Sequence, residues 1–121
     1  MNKLNLTWSP LLLFIQSSLS QIDSGAGVYR LSYKSADGSY YVFYVGKADK
    51  SLKEDLVSVL LNTSNPCLKT HLSNLECYFR YAVVADKEER KNIEKTLYDH
   101  FGGPKCNLEI PLGEKVSVNT N

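Results

Sequence analysis

An α+β fold is predicted by three features of the chain: two neighbouring runs of strand-forming residues joined by a turn pair, a third such run near residue 80, and two helix-capping signatures that each open an apolar stripe. At 121 residues there is room for about one hydrophobic core, so residues 1–121 are read as a single domain. Its first part, residues 1–24, carries Lys3 ahead of the apolar run Leu11 to Ile15 and then Ser17 and Ser18. That order imitates a secretory leader, but the run is short and Trp8-Ser9-Pro10 interrupts its approach. Residues 1–24 are therefore expected to form an extension packed on the domain. No stretch reaches the roughly 18 apolar residues that a membrane-spanning helix requires, so no membrane partner is expected.

The elements follow in order. Asp23-Ser24-Gly25-Ala26-Gly27 is a cluster of turn formers, and Val28 to Tyr33 then alternates β-branched, aromatic and polar positions as a strand does. Asp37-Gly38 suits the positive φ of a tight turn, and Tyr40 to Val45 is a second run of strong strand formers, closed by Gly46. The two runs should pair as an antiparallel hairpin. Ser51 with Glu54 three residues on makes a capping box before Leu52, Leu56, Val59 and Leu60, which share one helical face. After the loop Asn62 to Pro66, a short helix is expected around Leu68, His71, Leu72 and Leu75. Glu76 to Ala85 reads as the third strand. Asp86 and Glu89 repeat the capping pattern ahead of Ile93, Leu97 and Phe101, and Gly102-Gly103-Pro104 stops that helix. Residues 109–121 form a tail. The sum is a small three-stranded, mostly antiparallel sheet flanked by helices.

Composition narrows the function only modestly. A formal charge of +1 lacks the basic excess of many nucleic-acid binders, so any DNA affinity must come from a local patch. Cys67, Cys77 and Cys106 are odd in number and widely spaced, which signals neither a disulfide framework nor a zinc site. Free thiols, a reducing compartment and a cytoplasmic location are expected. His71 and His100 show no metal-ligand spacing with the cysteines and are read as structural or exposed.

Two triplets carry more information. Gly27-Val28-Tyr29 lies on the first strand and Tyr44-Val45-Gly46 at the end of its partner, with Lys47-Ala48 following. Glu94 stands in the last helix, and Pro104 and Asn107 follow it. Together, over residues 25–108, these resemble the GIY-YIG nuclease family, and the run Tyr44-Val45-Gly46-Lys47-Ala48 is similar to the N-terminal incision domain of bacterial excision-repair nucleases. The resemblance implies a metal-dependent DNA endonuclease acting on branched or damaged DNA. It makes Glu94 the ligand of a Mg²⁺ or Mn²⁺ ion, Tyr29 the group that helps activate water, Lys47 the source of positive charge beside it, Tyr44 a hydrogen-bonding neighbour and Asn107 the residue that orients the end of the site. Such chemistry suits phosphodiester cleavage, which needs a nucleophile, a hard cation and donors to the non-bridging oxygens.

One element departs from the family. An arginine that the family carries in the first turns of the helix after the second triplet is missing, and aligning the apolar stripe with one residue inserted in Asp49-Lys50-Ser51 puts Asp55 at or next to that position. Losing a charge-assisted contact to a transition-state oxygen costs about 2.7–4 kcal/mol. Lys50 and Lys53 lie close enough in sequence to compensate in part. A domain without turnover, binding nucleic acid or a protein, is the alternative. Structural readings also stand beside the functional ones: strand aromatics for Tyr29 and Tyr44, a solvated lysine at Lys47, a surface glutamate paired with Lys91 or Lys95 at Glu94, and a turn residue at Asn107.

Overall fold

A computed structural model describes residues 3–121. In chain order the elements are β1 (Leu12–Leu13), α1 (Gln16–Leu19), β2 (Gly27–Lys34), β3 (Tyr40–Ala48), α2 (Leu52–Asn62), α3 (Pro66–Asn74), β4 (Cys77–Val83) and α4 (Lys87–His100). The sheet is antiparallel with strand order β1-β4-β2-β3. The architecture is therefore α+β, and the sheet has four strands where three were expected. The additional strand comes from the apolar run of the N-terminal extension, where Leu12 pairs with Phe79 and Leu13 with Tyr78. A two-residue strand inside an apolar run has no periodicity to announce it.

The hairpin of β2 and β3 turns where Gly38 takes φ 87°, and the Asp37 carboxylate accepts from the Ser39 amide at 2.9 Å. Gly46 does not end β3. It pairs with Tyr29, and the strand continues to Ala48, which pairs with Gly27. Both N-caps form: Ser51 Oγ accepts from the Glu54 amide, and Asp86 Oδ1 accepts from the Glu89 amide. Asn65 caps α3 by accepting from the amides of Cys67 and Leu68, with Pro66 in its first turn.

The sheet separates two apolar clusters. On one face Tyr29, Leu31, Phe43 and Phe79 pack with Leu52 and Leu56 of α2, Leu68 of α3, and Phe14, Leu19 and Ile22 of the N-terminal segment. On the other, Val28, Val45 and Ala82 meet Ile93 and Leu97 of α4, with Leu4, Leu6, Trp8, Val116 and Val118 packed against them. The two terminal segments are joined there, since the Asn119 side chain bonds both the amide and the carbonyl of Leu6. No helix among the described residues is long and apolar enough to cross a membrane.

The cysteines correct an expectation. Cys67 and Cys106 form a disulfide across 39 residues of sequence, and only Cys77 is free, buried at the start of β4. The reducing-compartment inference drawn from three free thiols therefore loses its premise. His71 lies against this pair, with Nδ1 at 3.8 Å from Cys67 Sγ and 3.5 Å from Cys106 Sγ, so it is neither remote from the cysteines nor simply exposed.

Candidate functional site

Because β3 is an edge strand, side chains from both of its faces reach the same flank of the molecule. Tyr44, opposite Leu31, projects toward the α2 side, and Lys47, opposite Val28, toward the α4 side. Both line a cavity of about 630 Å³ together with Glu94 and Lys91 of α4, Asn107, and the segment Leu108 to Leu112. Of the five residues singled out from the sequence, Tyr44, Lys47, Glu94 and Asn107 thus share one concavity. Tyr29 lies behind Tyr44, with ring centroids 6.2 Å apart, and is 4% exposed.

The two glycines of the triplets are required by close approach. A Cβ on Gly46 would stand 2.5 Å from Tyr29 Cζ and Oη, so the absent side chain at Gly46 is the space the Tyr29 ring occupies. A Cβ on Gly27 would stand 2.2 Å from the Ala82 carbonyl oxygen. The triplets therefore fix the depth of Tyr29 in the sheet before they contribute any chemistry.

Burial and neighbouring carboxylates dominate the electrostatics of the phenols and of Glu94. Burial, and then the neighbouring Tyr44, Asp55 and Glu94, lift the Tyr29 phenol well above its usual range. Tyr44 is also raised, by burial first and then by Glu94, with Asp55 adding to it and the hydrogen bond with Tyr29 opposing it. Asp55, where an arginine was expected, is thus an anion acting on both phenols. Burial raises the Glu94 carboxyl too; Lys47 opposes that rise and Asp49 adds to it. Asp55 is raised by burial, then by Asp49 and Glu54.

The nearby cations are largely committed elsewhere. Lys47 Nζ pairs with Asp49 Oδ2 at 2.7 Å, and that contact holds the Asp49 carboxyl below its usual range. Arg90, 4% exposed, donates to the carbonyls of Val84 and Ala85 and, at 3.3 Å, to Asp49. Lys53 donates to the Ser20 carbonyl, and Arg80 to that of Asn121. Lys95 pairs with Asp99 rather than Glu94. Among the described residues, Glu94 enters no ion pair.

Asn107 has a structural duty. Its Oδ1 accepts from the Val45 amide and its Nδ2 donates to the Val45 carbonyl, both at 2.9 Å. The Cys106 amide adds a bond to the Phe43 carbonyl at 2.9 Å. Residues 106–107 thereby cover the open edge of β3 as a partial fifth strand would, and Asn107 reaches the site by bracing the strand that carries Tyr44 and Lys47.

Asp49 and the wall Leu108 to Leu112 were not anticipated, and Lys91, expected only as a surface partner of Glu94, lines the cavity. Asp49 sits two residues after Lys47, a spacing that brings an acid back to a strand-end lysine. The wall left no mark in the sequence beyond an apolar run inside a tail.

Glu94 is a half-buried carboxylate without an ion-pair partner, on the wall of an open cavity lined by both polar and apolar side chains, and its oxygens are hard donors of the type that Mg²⁺ and Mn²⁺ accept. Its raised pKa reflects burial first, with Asp49 adding to it and Lys47 opposing it. By contrast, Cys67, His71 and Cys106 are soft donors engaged with one another and do not suit Mg²⁺ or Mn²⁺. No protein-family model, curated protein or solved structure matches the chain.

Proposed function

We propose that the cavity beside β3 is a GIY-YIG-like site for metal-dependent cleavage of DNA phosphodiester bonds, weakened by Asp55. The observation that supports it is the meeting of Tyr44, Lys47 and Glu94 on one cavity wall, with Tyr29 directly behind. Glu94 would hold a Mg²⁺ or Mn²⁺ ion, which when bound supplies Lewis-acid stabilisation of charge on the phosphate. Tyr44 offers a phenolic donor to a non-bridging oxygen. Tyr29, buried behind Tyr44 with its proton held tightly, acts on the cavity through its hydrogen bond with Tyr44, and it gains basicity only when positive charge enters the cavity. Lys47, half-exposed on Asp49, is the cation nearest to hand.

Supercoiled and branched DNA incubated with the protein and Mg²⁺ or Mn²⁺ test this directly. Slow nicking by the wild type that disappears in Glu94→Ala supports the proposal. Intact DNA throughout, or equal cutting by Glu94→Ala, contradicts it.

A second function is favoured by Asp55 and by the pairing of Lys47 with Asp49: a binding module without turnover on the same scaffold. It predicts retention of DNA without cleavage, weakening steeply with salt as counterions return to the phosphates. Affinity insensitive to salt would count against a nucleic-acid partner.

A further inference from the structure

We infer that Cys67 and Cys106 are a reversible thiol–disulfide site, open to a dithiol reductant, that fastens the cavity wall of residues 106–112 to the edge of β3. Three observations lead there. The pair ties α3 to the segment whose next residue, Asn107, clamps Val45 and whose continuation, Leu108 to Leu112, lines the cavity. Cys67 is partly exposed whereas Cys106 is fully buried, so an incoming thiolate has one sulfur to attack. His71 Nδ1 lies 2.9 Å from the Cys67 carbonyl, an acceptor that requires the ring proton on that nitrogen, and the same N–H is the nearest donor to both sulfurs. Phe43 of β3 stacks on the His71 ring at 4.7 Å and fixes it.

The exchange balances as follows. A thiolate of the dithiol attacks Cys67 Sγ, the Cys67–Cys106 bond breaks, and its electron pair leaves on Cys106 Sγ beside His71 Nδ1. The second thiol of the reductant, as thiolate, then attacks its own sulfur in the mixed disulfide, and the electron pair of that bond leaves on Cys67 Sγ. The reductant departs as a disulfide, and its two thiol protons end on Cys67 and Cys106. Cys77 is an internal control, since burial pushes its thiol up to about 11 and keeps it unreactive while the fold stands. The inference holds whatever the cavity binds, so its test is independent of DNA cleavage.

The full chain is treated with dithiothreitol, alkylated with iodoacetamide and mapped by mass spectrometry, and amide hydrogen exchange is compared before and after reduction. Alkylation of Cys67 and Cys106 only after reduction is expected, with Cys77 protected in both states. Exchange at residues 106–112 and at the Val45 amide should then quicken about tenfold or more while β2 and β4 stay protected. Cys67→Ser should show the fast exchange without reductant. The inference is overturned if both cysteines alkylate in the untreated protein, if exchange of the wall is unchanged by reduction or by Cys67→Ser, or if reduction exposes the whole sheet.

Discussion

Glu94 carries its charge at a cost in the folded chain, because burial raises its pKa and Lys47 only partly opposes that rise. A carboxyl raised on folding binds its proton more tightly in the native state, so its contribution to stability is full below the unfolded value and is lost as pH climbs through the folded one. Glu94→Gln should therefore melt higher than wild type at pH 7. The difference should vanish as pH falls below about 4.3, where the unfolded glutamate is also protonated. Saturating Mg²⁺ should narrow the gap at pH 7 by favouring the ionised wild-type carboxylate. Scanning calorimetry across that range checks all three outcomes, and an identical gap at pH 4 and pH 7 contradicts the assignment. Gly46→Ala is a second test at this scale: overpacking against Tyr29 should cost roughly 1–3 kcal/mol, read by urea denaturation, and a neutral result would mean that the ring moves freely. Both glycines were visible in the sequence as parts of the triplets, and the structure gives the reason: a Cβ at Gly46 would meet the Tyr29 ring and one at Gly27 the Ala82 carbonyl. The duty of Asn107 was not, since nothing in the residues after Pro104 says which strand edge its amide will meet.

Among the elements, β3 decides the site. An edge strand would leave the Val45 amide and carbonyl open, and Asn107 closes both. Asn107→Ala removes two bonds at once and should cost about 1–3 kcal/mol, with faster hydrogen exchange at Val45 while β4 keeps its protection. An unchanged Val45 amide would contradict the bracing role. The helices were legible because Ser51 with Glu54 and Asp86 with Glu89 announce their starts, and the hairpin because Asp37-Gly38 joins two aromatic runs. Two elements were hidden for physical reasons. β1 is defined only by its partner β4, which lies 65 residues or so downstream, and an apolar run this short fits a helix as well as a strand. The Cys67–Cys106 bond depends on α3 and the wall meeting after the core has formed. The one local hint was Cys67 and His71 four residues apart, a spacing that puts both on one face of α3.

At the scale of the whole molecule, a small sheet with an apolar cluster on each face leaves its chemistry to the flank where β3 ends. A net charge of +1 and the engagement of Arg80 and Arg90 with backbone carbonyls leave that flank dependent on lysines for phosphate contact. Asp55, half-buried and acting on Tyr29 and Tyr44, is the residue that the proposed nuclease function makes limiting. The most direct measurement is nicking of supercoiled DNA in Mn²⁺ by Asp55→Arg and by the double variant Asp55→Arg with Glu94→Ala. Restoring the cation should raise cleavage on the order of a hundredfold over wild type, and removing Glu94 should abolish the gain. No gain with Asp55→Arg, or a gain that survives the loss of Glu94, would contradict a metal-dependent nuclease site at this cavity.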